Sequence, residues 1–205
     1  MLKTMLSIIL MMFSASVCLA DQVCETLATK VLKAKENESI AWGEYYSAIG
    51  AICKTTPDDP GKSFLVIARR IYQVDASNGQ VLSQGELGEV SFFIDTIDTG
   101  RYWLVPKVRA FGIRSSEYEQ HYPTGFTRNS LNLYVIEGST IRPILEKLDV
   151  GSDYACEEKG VCSYYETHVG IAKTRHNGLA DLIVSGRVVS YDGARYIVPD
   201  DLLQY

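Results

Sequence analysis

Leu131-Asn132-Leu133-Tyr134-Val135-Ile136-Glu137-Gly138-Ser139-Thr140-Ile141-Arg142-Pro143-Ile144-Leu145 decides the fold class. Leu131, Leu133 and Val135 alternate with Asn132, Tyr134 and Ile136. A period of two puts one set on each face of a strand. Gly138-Ser139 then turns the chain, and Thr140 to Leu148 begins a second strand. Strands joined by so short a turn pair antiparallel.

The same texture runs outward on both sides. Upstream, Phe64 to Val74 is rich in β-branched and aromatic residues and meets Asn78-Gly79 before Gln80 to Leu82. Glu89 to Asp95 and Arg101 to Phe111 follow, separated by Thr96 to Gly100. Downstream, Tyr164 to Thr174 runs into Asn177-Gly178, and Leu179 to Ser185 returns. Val188 to Tyr191 meets Asp192-Gly193, then Arg195 to Val198. Asn-Gly and Asp-Gly accept the positive φ that a twisted two-residue turn requires. Repeated hairpins predict an antiparallel β domain over 63–199, of eight or nine strands, as a meander or barrel-like sheet. Ser115 to Asn129 is the longest break and reads as a loop, with Pro123 and Gly125.

Before that domain the period changes. Val23, Leu27, Val31 and Ala34 recur at steps near four, which predicts a helix over 22–37. Trp42, Tyr45, Tyr46, Ile49 and Cys53 predict a second over about 40–54, weakened by Gly43 and Gly50. Residues 21–55 thus read as a helical hairpin, and Thr55 to Gly61, with two prolines and a glycine, as its boundary. The expected fold is α+β, mainly antiparallel β, with an amino-terminal helical hairpin packed on the sheet.

Residues 1–20 read as a signal peptide. Lys3 supplies the positive start, Leu6 to Phe13 the apolar run, and Cys18-Leu19-Ala20 a small-residue cleavage site. The run is shorter than the ~20 residues that span a bilayer. Val17 is larger than the glycine or alanine that usually precedes a lipidated cysteine. Export predicts a periplasmic location and no transmembrane helix in the remaining 185 residues. It also predicts oxidised cysteines. Four then remain, and sequence neighbours are the economical pairs: Cys24–Cys53 and Cys156–Cys162. A zinc site from Cys156, Cys162, His168 and His176 lacks the close C-x2-C pair of zinc modules.

Charge and motifs restrict the chemistry. Without the leader the chain carries 19 basic against 25 acidic side chains, so nucleic acid is not an expected partner. Pro60-Gly61-Lys62-Ser63 lacks the glycine five residues before Gly61 that a phosphate loop needs. No H-E-x-x-H or G-x-S-x-G occurs. No catalytic residue, cofactor or metal is assigned. Tyr118, His121, Tyr122, Phe126 and Arg128 are the binding candidates, because aromatic and arginine side chains dominate contact hot spots.

Arg175-His176-Asn177-Gly178-Leu179-Ala180-Asp181-Leu182 resembles the tail of an FG-GAP or VCBS β-hairpin repeat, in which D-x-D-x-D-G-x-x-D-L wraps calcium. Here Lys173 and Arg175 stand where carboxylates are needed, so the resemblance implies the turn without the metal. Asp181 is then expected to accept turn N–H groups. The run from Arg109 to Asp149 (R-A-F-G-I-R-S-S, then L-N-L-Y-V-I-E-G-S-T-I-R-P-I-L-E) is similar to uncharacterised envelope proteins of Gram-negative bacteria, which implies a periplasmic place and no known chemistry.

The function expected from this reading is a secreted, disulfide-stabilised binding protein, an inhibitor or immunity protein against an envelope-acting enzyme or toxin. Its partner would be a protein or a cell-wall glycan. One alternative is an envelope hydrolase using Glu166, His168 or Asp181. Another is an accessory subunit of an envelope complex, docked through Trp42 and Tyr45.

Overall fold

In a computed structural model the described residues are 23–33, 51–67, 69–90, 93–121, 124–154 and 164–203. They hold one α-helix, α1 over 23–33, a 3-10 turn at Asp200–Leu202, and twelve strands. The chain divides into two compact units, 1–84 and 85–205.

In the first unit, β1 (Ile52–Thr56), β2 (Asp59–Ile67), β3 (Arg70–Asp75) and β4 (Val81–Glu86) follow one another in the sheet. Leu27, Ala28, Val31 and Leu32 of α1 are buried against Leu65, Ile67, Tyr72 and Val74. These helix positions repeat at three and four residues, the spacing that faces a core. Cys24 of α1 and Cys53 of β1 form the disulfide expected from the sequence.

Among the described residues the expected helical hairpin does not appear. Ile52, Cys53 and Lys54, assigned to a second helix, are strand residues paired with Val66, Leu65 and Phe64. Trp42, Tyr45, Tyr46 and Ile49 lie outside the described residues. Thr55 to Gly61, read as a boundary, is the turn region of the β1–β2 hairpin. Pro60 is tolerated there because it is only the second residue of β2, close to the strand start. Phe64 to Val74 is two strands and not one, with Val66 opposite Ile71.

In the second unit, β5 (Phe93–Val105), β6 (Val108–His121), β7 (Thr124–Glu137) and β8 (Thr140–Tyr154) form an antiparallel meander. The short β9 (Tyr164–Glu166) pairs with the end of β8. A separate three-stranded sheet holds β10 (Val169–His176), β11 (Leu179–Val184) and β12 (Arg187–Val189). Its Leu182, Val184 and Val189, with Tyr191 and Tyr196, are buried against Leu104, Leu131, Leu133, Val135, Ile144 and Leu148 of the meander. Two sheets each bury one face, which is what the alternation around Leu131 demands. Tyr196 fastens them: its N–H donates to the Ile144 carbonyl (2.7 Å) and its hydroxyl to that of Ala180 (2.5 Å).

The turns follow local chemistry. Asn177 and Gly178 have φ of +47° and +92°, the paired positive values of a type I′ hairpin turn. Between β5 and β6 the turn is Pro106-Lys107, inside what the sequence reads as one strand from Arg101 to Phe111. Proline suits the first central position of a type II turn, and the second needs positive φ. Lys107 supplies it at +72° without being glycine. Lys107→Gly is expected to raise stability by about 0.5 kcal/mol, read as a higher urea midpoint with unchanged slope.

Candidate functional site

Of residues 115–129, expected as a loop, 115–121 and 124–129 are the far halves of β6 and β7. Pairing is regular from Phe111–Tyr134 to His121–Thr124. Regular pairing sorts side chains by face. Arg114, Ser116 and Tyr118 lie on one face, opposite Leu131, Asn129 and Thr127. Phe126 and Arg128 lie on the other, opposite Glu119 and Glu117. The five binding candidates therefore do not form one patch. Tyr118 is 55% exposed, and its ring lies over Gly125, where an added Cβ would fall 2.2 Å from the Tyr118 hydroxyl. The Arg128 guanidinium stacks 4.9 Å from the centre of the Phe126 ring. His121 stands in β6 opposite Thr124, described by its backbone, and Tyr122 lies outside the described residues.

The face that carries Tyr118 also carries a cleft of about 130 Å³. Asp95, Thr96, Arg114, Asn129, Val150, Gly151, Tyr165 and Glu166 line it. Two β-bulges frame it. Ile94 pairs with Ser115 and Thr96 with Arg114, so Asp95 is an extra residue in β5. Asn129 pairs with Gly151 and Ser130 with Asp149, so Val150 is an extra residue in β8. A bulge re-aims the side chains beside it, which is how adjacent residues such as Asp95 and Thr96 reach one cleft. Gly151 is fixed by close approach, since a Cβ there would sit 2.7 Å from the Tyr165 carbonyl oxygen.

The charges of the cleft are unequal in their commitments. Arg114 Nε donates to Asp98 Oδ2 at 2.9 Å. Asp98 also accepts from the Tyr102 hydroxyl (2.9 Å) and the Gly100 N–H (2.8 Å). Burial pushes the Asp98 carboxyl up, but Arg114 and these donors outweigh it and hold it below the usual carboxylate range. Burial and the Asp98 charge raise the Tyr102 hydroxyl to about 12. Asp95 accepts from the Ser116 hydroxyl at 2.8 Å and is otherwise exposed. Glu166 is exposed at the cleft edge.

The remaining sequence candidates separate. His168 is exposed beyond β9. Asp181 is fully buried, and its carboxylate accepts from His176 Nδ1 at 2.8 and 2.9 Å. An ionised carboxylate only accepts, so Nδ1 carries the proton and Nε2 faces outward. Thr174 and Ser190 side chains bond the same carboxylate. The expected turn N–H groups are thus replaced by side chains. The pairing of β10 with β11 skips from Ile171–Leu182 to Arg175–Ala180, so residues 172–174 bulge opposite Asp181. Burial raises the Asp181 carboxyl, yet these donors hold it below its ordinary value. Cys156 and Cys162 lie outside the described residues, and among those described no three His, Cys, Asp or Glu converge as metal ligands.

Comparison with protein-family models, with curated proteins and with solved structures returned no match. No described helix is long and apolar enough to cross a membrane.

Proposed function

We propose that the chain is an exported binding protein that inserts the end of its β6–β7 hairpin into a two-walled cleft of a protein partner. The observation that carries this is the division of its aromatic groups. Tyr118 projects from one face of the hairpin and the Phe126–Arg128 stack from the other. A flat partner surface uses one face of a ribbon, whereas a cleft grips both. Among the described residues, β6 beyond Ser116 pairs only with β7, because the pairing to β5 ends at Phe93, while β7 stays paired with β8 as far as Phe126–Tyr154. An enzyme of the cell envelope is the partner class that this shape suits, as an inhibitor or immunity protein would bind it. The leader read at residues 1–20 supports a periplasmic place, and a mature amino terminus at Asp21 in protein from its native cell is the check.

The hydrolase reading has less to stand on. Asp181 is sealed from solvent and committed to His176, Thr174 and Ser190. The accessory-subunit reading rests on Trp42 and Tyr45, outside the described residues.

The test is quantitative capture of one isolated envelope partner by the wild-type chain, Tyr118→Ala and Phe126→Ala. Each substitution is expected to weaken binding about tenfold or more, the scale of one aromatic hot spot. Loss confined to one variant would replace insertion by one-sided docking. Full affinity in both would remove the hairpin as the site.

A further inference from the structure

We infer that the β5–β6 turn is a docking site for an anionic membrane surface, at the opposite end of β6 from the hairpin contact and independent of it. The reasoning starts from charge. Residues 99–116 contain Arg101, Lys107, Arg109 and Arg114 and no Asp or Glu, in a chain whose net charge is −5. Arg114 is paired with Asp98 and belongs to the cleft. Arg101 and Lys107 are exposed and have no ion-pair partner among the described residues. Charges more than ~10 Å away are screened at 0.1 M salt, so the acidic remainder of the chain does not govern this corner.

Apolar surface stands among these cations. Trp103 is 41% exposed, although Tyr102 and Leu104 on either side of it are buried in the core. Alternation puts Arg101 on the same face of β5 as Trp103, and Arg109 stands opposite Trp103 in β6. The Arg109 guanidinium lies 5.5 Å from the centre of the Trp103 ring and donates to the Thr99 and Gly100 carbonyls, which hold it there. At the tip Pro106 is exposed, and Val105 and Val108 are half-buried. An indole settles at the headgroup level of a bilayer, and lysine and arginine beside it are drawn to anionic lipid. Lys107 adds a separate argument. Its φ of +72° suits glycine, so a lysine there keeps a cation at the tip against the local backbone preference. Nucleic acid is drawn to cations and an indole as well, but gains nothing from Pro106 and the two valines. An acidic protein segment binds best where a groove encloses it. A two-residue turn is a projection, and one of mixed apolar and cationic groups fits a headgroup layer.

The experiment is cosedimentation of the full chain with vesicles of phosphatidylcholine alone and of phosphatidylcholine with about one-third phosphatidylglycerol, in ~0.1 M and ~0.5 M NaCl. Binding is expected only with phosphatidylglycerol and is expected to be lost at the higher salt. Arg101→Glu with Lys107→Glu should weaken it at least about tenfold. Trp103→Ser should weaken it about fivefold. Arg101→Gln with Lys107→Gln repeats the test should the charge reversal perturb the fold. Trp42 is the other tryptophan of the chain, so in Trp42→Phe the emission of Trp103 alone should shift to the blue on binding. Tyr118→Ala and Phe126→Ala should bind vesicles as the wild type does, which separates this site from the hairpin. The inference is overturned if both vesicles bind alike, if neither binds, or if the folded charge variants bind as the wild type does. It is equally overturned if poly-glutamate or a single-stranded oligonucleotide binds through Arg101 and Lys107 while vesicles do not.

Discussion

Asp181→Ala is expected to cost about 3–4 kcal/mol of folding stability, among the largest effects of any single polar substitution in this chain. The carboxylate is wholly buried, and its removal leaves His176 Nδ1–H and the Thr174 and Ser190 hydroxyls facing a void. Buried donors without acceptors cost about 1–3 kcal/mol each when nothing rearranges. The exposed edge of His176 lets water relieve part of that. Asp181→Asn keeps an acceptor oxygen and should lose about half as much. Urea unfolding of the three proteins at neutral pH gives the order directly. The pH dependence has a definite sign. The folded carboxyl is held below its ordinary value of 3.8. Its contribution is therefore complete above the unfolded value, near 4, and is lost as pH falls through the lower folded value. Asp98, depressed by Arg114, behaves in the same sense. The wild type should weaken steeply below pH 4, and Asp181→Asn less steeply. An identical acid slope in both would mean that the Asp181 carboxyl binds its proton equally well in the folded and unfolded chain, against the lowered folded value.

What could be read from the sequence divides along a physical line. Features fixed by a few consecutive residues were legible. The alternation at Leu131–Val135, the Asn177-Gly178 turn and the Cys24–Cys53 pair all stand in the structure. The hairpin beyond Ser115 was not legible, because Glu117, Tyr118, Glu119 and Gln120 offer no apolar face. Its one available signal was charge complementarity, Glu117 opposite Arg128, visible only once a register is assumed. Lys107 hid the β5–β6 turn, since positive φ was not expected of lysine. The second helix failed at Cys53 because the apolar spacing of 49–53 serves a strand edge as well as a helix face. The cleft was beyond reach for a different reason. Asp95, Asn129, Gly151 and Glu166 come from four strands, and both bulges that aim them are departures from regular pairing. The Asp98–Arg114–Tyr102 cluster is equally a product of register, its ion partners standing at a sequence separation of 16.

The second large effect is expected at the disulfide. Replacing Cys24 and Cys53 together by alanine should destabilise the chain by roughly 3.5 kcal/mol, from loop-closure entropy over their separation of 29 residues. Both ends of the bridge have structural consequences. Cys24 lies in α1, and its helix neighbours Leu27, Ala28, Val31 and Leu32 are all buried. Most helical stability comes from packing an apolar face rather than from propensity, so α1 depends on its contact with Leu65, Ile67, Tyr72 and Val74. The bridge holds that helix to β1 in the unfolded chain and so lowers the entropy lost when the two meet. Reduction should therefore expose amides of α1 to hydrogen exchange before those of β7, whose Leu131, Leu133 and Val135 belong to the other unit's core. Exchange mass spectrometry with and without reductant separates the two. Equal protection of α1 in both states, with no change in unfolding midpoint, would show that packing alone holds the helix and that the bridge contributes nothing to stability.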